Sequence, residues 1–100
     1  MIDQQLQAKI IAVAKQEPKT IEQQFLKLME EAGEAAQAYL AANHASGNDY
    51  KNLDLVDTKE ELTDILLVTV AMLVKLDCQP EELETLLKKK VKKWLEHQVH

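Results

Sequence analysis

The sequence has very few turn-forming residues, with only two glycines and two prolines in 100 positions. A sheet protein of this length needs many tight turns, and glycine and proline supply most of the backbone conformations that turns require. The chain is instead rich in Leu, Ala, Glu, Lys and Gln, which favour helices. This composition predicts an all-α protein, and the length predicts one domain over residues 1–100.

Cysteines and long apolar runs are also scarce. The single cysteine, Cys78, cannot form an intrachain disulfide. The N-terminal segment MIDQQLQAKIIAVAK is too polar for a signal peptide. The longest apolar run, residues 65–74, is about half the length needed to span a bilayer, which favours a buried helix. We therefore expect a cytoplasmic protein with no membrane role.

Positive charge is outweighed by negative charge. Twelve lysines and arginines face 17 aspartates and glutamates, for a formal net charge of −5 and a pI near 5.1. Binding to duplex nucleic acid requires a basic face that neutralises phosphates, so this balance argues against such a partner. An anionic ligand would need a metal ion or a local basic patch.

Apolar residues recur at helical spacing in four segments. The first helix should lie between Asp3 and Pro18, and the second should begin at a Thr20–Gln23 capping box and reach about residue 40. The other two predicted helices cover residues 57–76, with Asp57 and Glu60 as a capping box, and the segment from Pro80 through residue 95. Residues 43–57 are predicted to form a long surface connection, either a functional lid or a mobile segment.

The apolar positions predict how these helices pack. Helix three is apolar on nearly every side, which places it in the middle of a core or at a subunit interface. We therefore expect a four-helix bundle-like domain that forms a homodimer or homotetramer through helix three. Trp94 falls in the apolar stripe of helix four and is expected in the core, although stacking on a base is an alternative. The predicted stripe of helix two consists of Ile21, Phe25, Leu28, Ala32, Ala36 and Tyr39.

Two pairs of carboxylates point to the chemistry. Glu31 and Glu34 are three residues apart in helix two, and Glu61 and Asp64 are three apart in helix three, so each pair shares a helix face. Carboxylates that converge beside an apolar core repel one another unless a cation lies between them. Oxygen ligands suit Mg²⁺, with Mn²⁺ as a substitute. The alternative is that these glutamates are solvated helix surface, since Glu is a strong helix former.

A family resemblance favours the metal site. The segments KLMEEAGEAAQAYL (27–40) and KEELTDILLVTVAMLVKL (59–76) resemble the MazG-like superfamily of all-α nucleoside triphosphate pyrophosphohydrolases. The superfamily signature is EExxE followed by ExxD. It reads here as Glu30-Glu31-Ala32-Gly33-Glu34 and Glu61-Leu62-Thr63-Asp64. The resemblance implies that Glu31, Glu34, Glu61 and Asp64 hold Mg²⁺.

The resemblance also implies the reaction and further site residues. A nucleoside triphosphate, canonical or modified, would be cleaved to the monophosphate and pyrophosphate, a reaction that could serve nucleotide-pool house-cleaning. Glu30 is the candidate catalytic residue and a further candidate metal ligand, and which carboxylate acts as the general base stays open. Lys27 lies on the same stripe and is a candidate phosphate contact, with an ion pair to Glu31 as its alternative role. Gln23 is a candidate substrate contact, and Gln24 and helix one could also contribute to base selection.

Two departures from related patterns keep alternatives open. Relatives often carry a Lys followed four residues later by Asn on the last helix, and the basic run at residues 88–93 contains no Asn. That run could contact phosphates or form a solvated helix end. Phosphoribosyl-ATP pyrophosphohydrolases, one alternative, usually have Tyr-His where this chain has Leu67 and Val68. The other alternative is a non-catalytic helical interaction module.

Overall fold

The computed structural model describes residues 2–42 and 55–98, which form four α-helices. The helices are α1 (Gln4–Lys15), α2 (Ile21–Ala42), α3 (Leu55–Lys75) and α4 (Pro80–Gln98). Within these two segments the structure contains no strand. The predicted all-α fold with four helices is confirmed.

The first two helices begin where the sequence predicts, and each has a side-chain cap. The carboxylate of Asp3 accepts a hydrogen bond from the backbone N–H of Leu6 at 2.7 Å, which satisfies one free donor of α1. At the start of α2, the Gln23 N–H donates to Thr20 Oγ1 at 3.1 Å and the Thr20 N–H donates to Gln23 Oε1 at 2.9 Å. These reciprocal bonds form the capping box expected from the sequence.

The predicted start of helix three is wrong by two residues. Because α3 begins at Leu55, Asp57 lies inside the first helical turn and not at the capping position. Its carboxylate still carries the negative charge that a helix N-terminus favours. Residues 55–57 of the predicted connection are therefore helical, and residues 43–54 lie outside the described residues.

The end of α3 is a turn that the sequence did not predict. Asp77 has a φ of 63°, in the left-handed region that favours glycine. The Asp77 N–H donates to Val74 O and the Cys78 N–H donates to Leu73 O, each at 2.9 Å. This is the Schellman arrangement, which satisfies carbonyls at a helix end. It ends α3 shortly before Pro80, the first residue of α4 as predicted.

The packing is centred on α3, in agreement with the sequence analysis. Both α2 and α1 pack against α3, whereas α4 has no extensive contact with the described parts of the other helices. The Lys75 ammonium donates to the Glu17 carbonyl at 3.4 Å and so joins the end of α3 to the α1–α2 link. No described helix is long and apolar enough to cross a membrane.

The described part of the chain has a small apolar core. Among the described residues the buried apolar side chains are Ala35, Ala38, Ala41 and Met72. The radius of gyration is 16.4 Å, whereas a compact domain of this length has about 13 Å. The molecule is therefore extended, with much apolar surface uncovered.

Two expectations about helix faces are wrong. In α2 the predicted stripe is largely uncovered, with Phe25 and Tyr39 each about half exposed, while the face toward α3 carries small and polar residues. In α4 Trp94 is 66% exposed and does not lie in a core. A stripe shows which face is apolar, but not whether the same chain covers that face.

Candidate metal centre

The contact between α2 and α3 positions the acidic residues. The buried face of α2 carries Gln24, Glu31, Ala35 and Ala38. Alanines at these positions leave room for α3 to approach closely. This approach brings Glu31, which is only 5% exposed, against the first half of α3, where the second acidic pair lies.

Glu31 joins two carboxylate groups. Oxygens of Glu30, Glu31 and Glu34 lie within 4.8 Å of one another, and so do oxygens of Glu31, Glu61 and Asp64. The structure therefore brings all four sequence-predicted ligands to one place, with Glu31 at the centre and Glu30 at the edge. Distances of this size let several carboxylate oxygens bind one divalent cation.

Two oxygens at this place have no hydrogen-bond partner among the described residues. They are Glu31 Oε2 and Glu61 Oε2, both buried from solvent. A buried carboxylate oxygen without a donor costs several kcal/mol unless it is paired or bound to a metal. A cation between α2 and α3 would bind both oxygens, so this donor set fits Mg²⁺ or Mn²⁺.

The electrostatics of the cluster are asymmetric. Burial, together with the neighbouring Glu31 and Glu34 carboxylates, raises the pKa of Glu61 to about 7. The pKa of Glu31 is instead lowered, because the Lys27 ammonium binds it directly. In the metal-free chain, Glu61 is thus the carboxyl that takes up a proton near neutral pH.

Among the described residues, Lys27 is the basic side chain that contacts this cluster. Its Nζ lies 2.9 Å from Glu31 Oε1 and 3.4 Å from Glu30 Oε1. The two carboxylates raise the pKa of Lys27, so the ammonium stays charged. The ion pair to Glu31, which the sequence analysis named as the alternative to phosphate binding, is present. Lys27 also lines a cavity beside the cluster, and its contact with a substrate phosphate stays a prediction.

The remaining candidates lie farther from the cluster or serve other contacts. The Gln23 amide closes the α2 capping box and is exposed, and its role in substrate binding stays a prediction. The lysines at 88–93 are exposed on α4, where Lys88 pairs with Glu84 at 3.4 Å. His97 contacts the Lys93 carbonyl through Nδ1 at 2.9 Å, while His44 and His100 lie outside the described residues.

Two buried polar residues, Gln24 and Thr58, were not singled out by the sequence analysis. Gln24 is only 3% exposed and lines the same cavity as Lys27. Sequence reasoning could name it only together with Gln23 and helix one, because adjacent glutamines on a helix look alike until the direction of the partner helix is known. Their positions differ by about 100° around the helix axis.

Comparison with known proteins agrees with this geometry. The model of the phosphoribosyl-ATP pyrophosphohydrolase family matches residues 3–91, which include α1, α2, α3 and both acidic pairs. This family lies within the MazG-like superfamily, so the superfamily resemblance fits. No curated protein and no solved structure matches the chain. The match supports hydrolysis of a phosphoric anhydride in a nucleotide. The chain belongs to the phosphoribosyl-ATP pyrophosphohydrolase family.

Proposed function

We propose that this protein is an Mg²⁺-dependent pyrophosphohydrolase that cleaves a nucleoside triphosphate between the α and β phosphates. The products would be the monophosphate and pyrophosphate. The observation that carries the proposal is the pair of buried oxygens, Glu31 Oε2 and Glu61 Oε2, which come from different helices and have no partner among the described residues. Membership of a pyrophosphohydrolase family supports cleavage of a phosphoric anhydride as the reaction at this site.

Each residue of the cluster has a proposed role. Glu31, Glu34, Glu61 and Asp64 would hold Mg²⁺, which would polarise the phosphates and lower the pKa of an attacking water. Glu30 lies at the exposed edge of the cluster, where it could accept a proton from that water. Lys27 would neutralise phosphate charge, since its ammonium contacts Glu31 and the residue also lines the neighbouring cavity.

Two substrate classes are compatible with this chemistry. The family match favours phosphoribosyl-ATP, itself a triphosphate, which makes it the first substrate to test. Canonical and modified nucleoside triphosphates are the broader class, and cleaving them would serve house-cleaning of the nucleotide pool. Leu67 and Val68, where this family usually has Tyr-His, are the reason to test both classes.

We also propose that the working form is a homodimer or homotetramer. Leu62, Leu66 and Leu67 of α3 are 54%, 52% and 42% exposed, so one side of the central helix is uncovered. An exposed apolar surface of this kind marks an interface in a soluble protein. A second copy would supply the cover that this chain lacks.

The decisive experiment is pyrophosphate release with Mg²⁺ and a panel containing phosphoribosyl-ATP and canonical and modified triphosphates. We expect turnover of at least one substrate. Asp64→Asn and Glu34→Gln should each lower kcat/KM by about 100-fold or more. Glu22→Gln, an exposed change on α2 outside the cluster, is the matched control and should leave turnover unchanged. A folded protein that releases no pyrophosphate from any substrate would refute the proposal.

A non-catalytic interaction module is the competing function. It predicts an acidic surface with no specific affinity for Mg²⁺. A ligand that binds only the folded state raises the unfolding temperature, so a thermal shift with Mg²⁺ distinguishes the two functions. We expect Mg²⁺ to stabilise the wild-type protein, and to stabilise Asp64→Asn less. Equal melting temperatures with and without saturating Mg²⁺ would favour the interaction module.

A further inference from the structure

An apolar ridge runs along α4. Leu83, Leu87, Val91 and Leu95 recur every four residues, and a row of this kind packs into the groove of another helix. Leu87, Val91 and Leu95 are each more than half exposed. Because α4 makes no extensive contact with the described parts of the other helices, the ridge lacks a partner among the described residues.

The charges of α4 are separated along the helix. Residues 81–87 include three glutamates and no basic residue, whereas residues 88–93 include five lysines and no acidic residue. A helix dipole favours this polarity only in the first and last turns, and the last turn contains Glu96. Of these lysines only Lys88 forms an ion pair among the described residues, with Glu84 at 3.4 Å. The other lysines are therefore open to a partner.

Both signs of charge flank the ridge on each side. Glu84 and Lys92 line the same groove as the apolar residues of the ridge. Helical periodicity places Glu82 and Lys93 together on the opposite flank. Each flank thus has a glutamate toward the start of α4 and a lysine toward its end. A pattern of this kind is complementary to its own reversed copy.

We propose that α4 pairs with α4 of a second copy of this chain, ridge against ridge and in antiparallel orientation. With Leu87 opposite Val91 of the second copy, Glu84 lies within one turn of Lys92 of that copy. The opposite flank pairs in the same way, and the two-fold axis repeats each ion pair. A parallel pair would instead place glutamate beside glutamate and lysine beside lysine.

A second copy fits this face better than an anionic membrane, the other surface that a lysine-rich amphipathic helix can meet. Glu84 lies in the same groove as Leu87 and Val91, so membrane docking would press a carboxylate against anionic headgroups. The assignment uses residues of α4 alone, and it therefore rests neither on the α3 interface nor on the proposed reaction. Two different two-fold faces on one chain would allow a closed tetramer.

Sedimentation equilibrium of the full-length protein and a charge swap test this pairing. Glu84→Lys and Lys92→Glu should each weaken association by about tenfold, because each replaces two attractive pairs by repulsive ones. Combining both changes in one chain restores opposite charges across the interface. The double variant should therefore associate within about threefold of the wild-type protein. Restoration of this kind cannot arise from a folding defect in the single variants.

The matched control is Lys89→Glu, the same charge change on the opposite face of α4, where the residue is exposed. It should leave association unchanged. Equal association of the wild-type protein and both single variants would overturn the pairing, and would be the result if α3 were the interface instead. A double variant that associates no better than the single variants would also overturn it. So would a wild-type protein that stays monomeric at about 100 µM, or one that binds phosphatidylglycerol vesicles without self-association.

Discussion

The high pKa of Glu61 predicts that Mg²⁺ binding depends on pH in the neutral range. A proton on Glu61 competes with the metal, since only the ionised carboxylate is a good ligand. With a pKa of about 7, roughly one molecule in eleven has this carboxyl ionised at about pH 6, and roughly ten in eleven at about pH 8. The apparent affinity for Mg²⁺ should therefore be about tenfold weaker at the lower pH.

The assay is a calorimetric titration of the wild-type protein and Glu61→Gln with Mg²⁺ at both pH values. Glu61→Gln keeps a ligand oxygen but cannot take up a proton. At the higher pH its affinity for Mg²⁺ should therefore be lower than that of the wild-type protein, and its own affinity should be nearly the same at the two pH values. Equal wild-type affinities at the two pH values would contradict the placement of Glu61 among buried carboxylates. An unchanged pH dependence in Glu61→Gln would assign the proton to another group.

The same pKa predicts that the metal-free protein becomes less stable as the pH rises, whereas Mg²⁺ binding becomes tighter. Glu61 has a folded pKa of about 7, above its usual 4.5, so the folded state holds a proton that the unfolded chain releases between these values. The stability it contributes is present below pH 4.5 and is lost as the pH rises toward 7. Melting temperatures of wild type and Glu61→Gln without metal should therefore converge at low pH, with wild type losing more stability as the pH rises. Addition of Mg²⁺ should offset this loss.

Three further substitutions test the fold by denaturant unfolding, and one tests association. Thr20→Ala removes the acceptor of the α2 capping box and should lower the free energy of unfolding by about 1 kcal/mol. Gly33→Ala should raise it by about 0.5–1 kcal/mol, because a Cβ there meets no described atom within 4 Å; a decrease would indicate that a second chain covers this position. Asp77→Gly should raise it by about 1 kcal/mol, since Asp77 has a left-handed φ, and no change would mean that its carboxylate compensates. Leu62→Lys should shift sedimentation toward the monomer if α3 forms the interface, and an unchanged sedimentation profile would exclude that face.

The sequence predicts the local features of this fold well, because they depend on neighbours along the chain. The Thr20–Gln23 capping box and the start of α4 at Pro80 are both decided within one helical turn. The spacing of the acidic pairs likewise places each pair on one helix face. That these faces meet follows from the alanines of α2, which a sequence pattern can only suggest.

The features that the sequence does not predict depend on what covers each helix. The apolar stripe of α2 would dock in a chain with a larger core, but here α3 packs on the face that carries Glu31 and Ala35. Trp94 is exposed for the same reason, since no described helix of the chain covers α4. Gln24 stands out only because it is buried, and neither its residue type nor its spacing predicts that burial.

The separation of α4 from the other helices has a consequence for cooperativity. A helix with few tertiary contacts to the described residues depends largely on its intrinsic stability, which is marginal for a segment of this length in water. In a lone chain, backbone amides of α4 should therefore exchange with solvent much faster than those of α2 and α3. If association covers Leu87, Val91 and Leu95, protection of these amides would rise with protein concentration. Nearly a fifth of the chain would then be ordered by mass action rather than by the fold of one subunit.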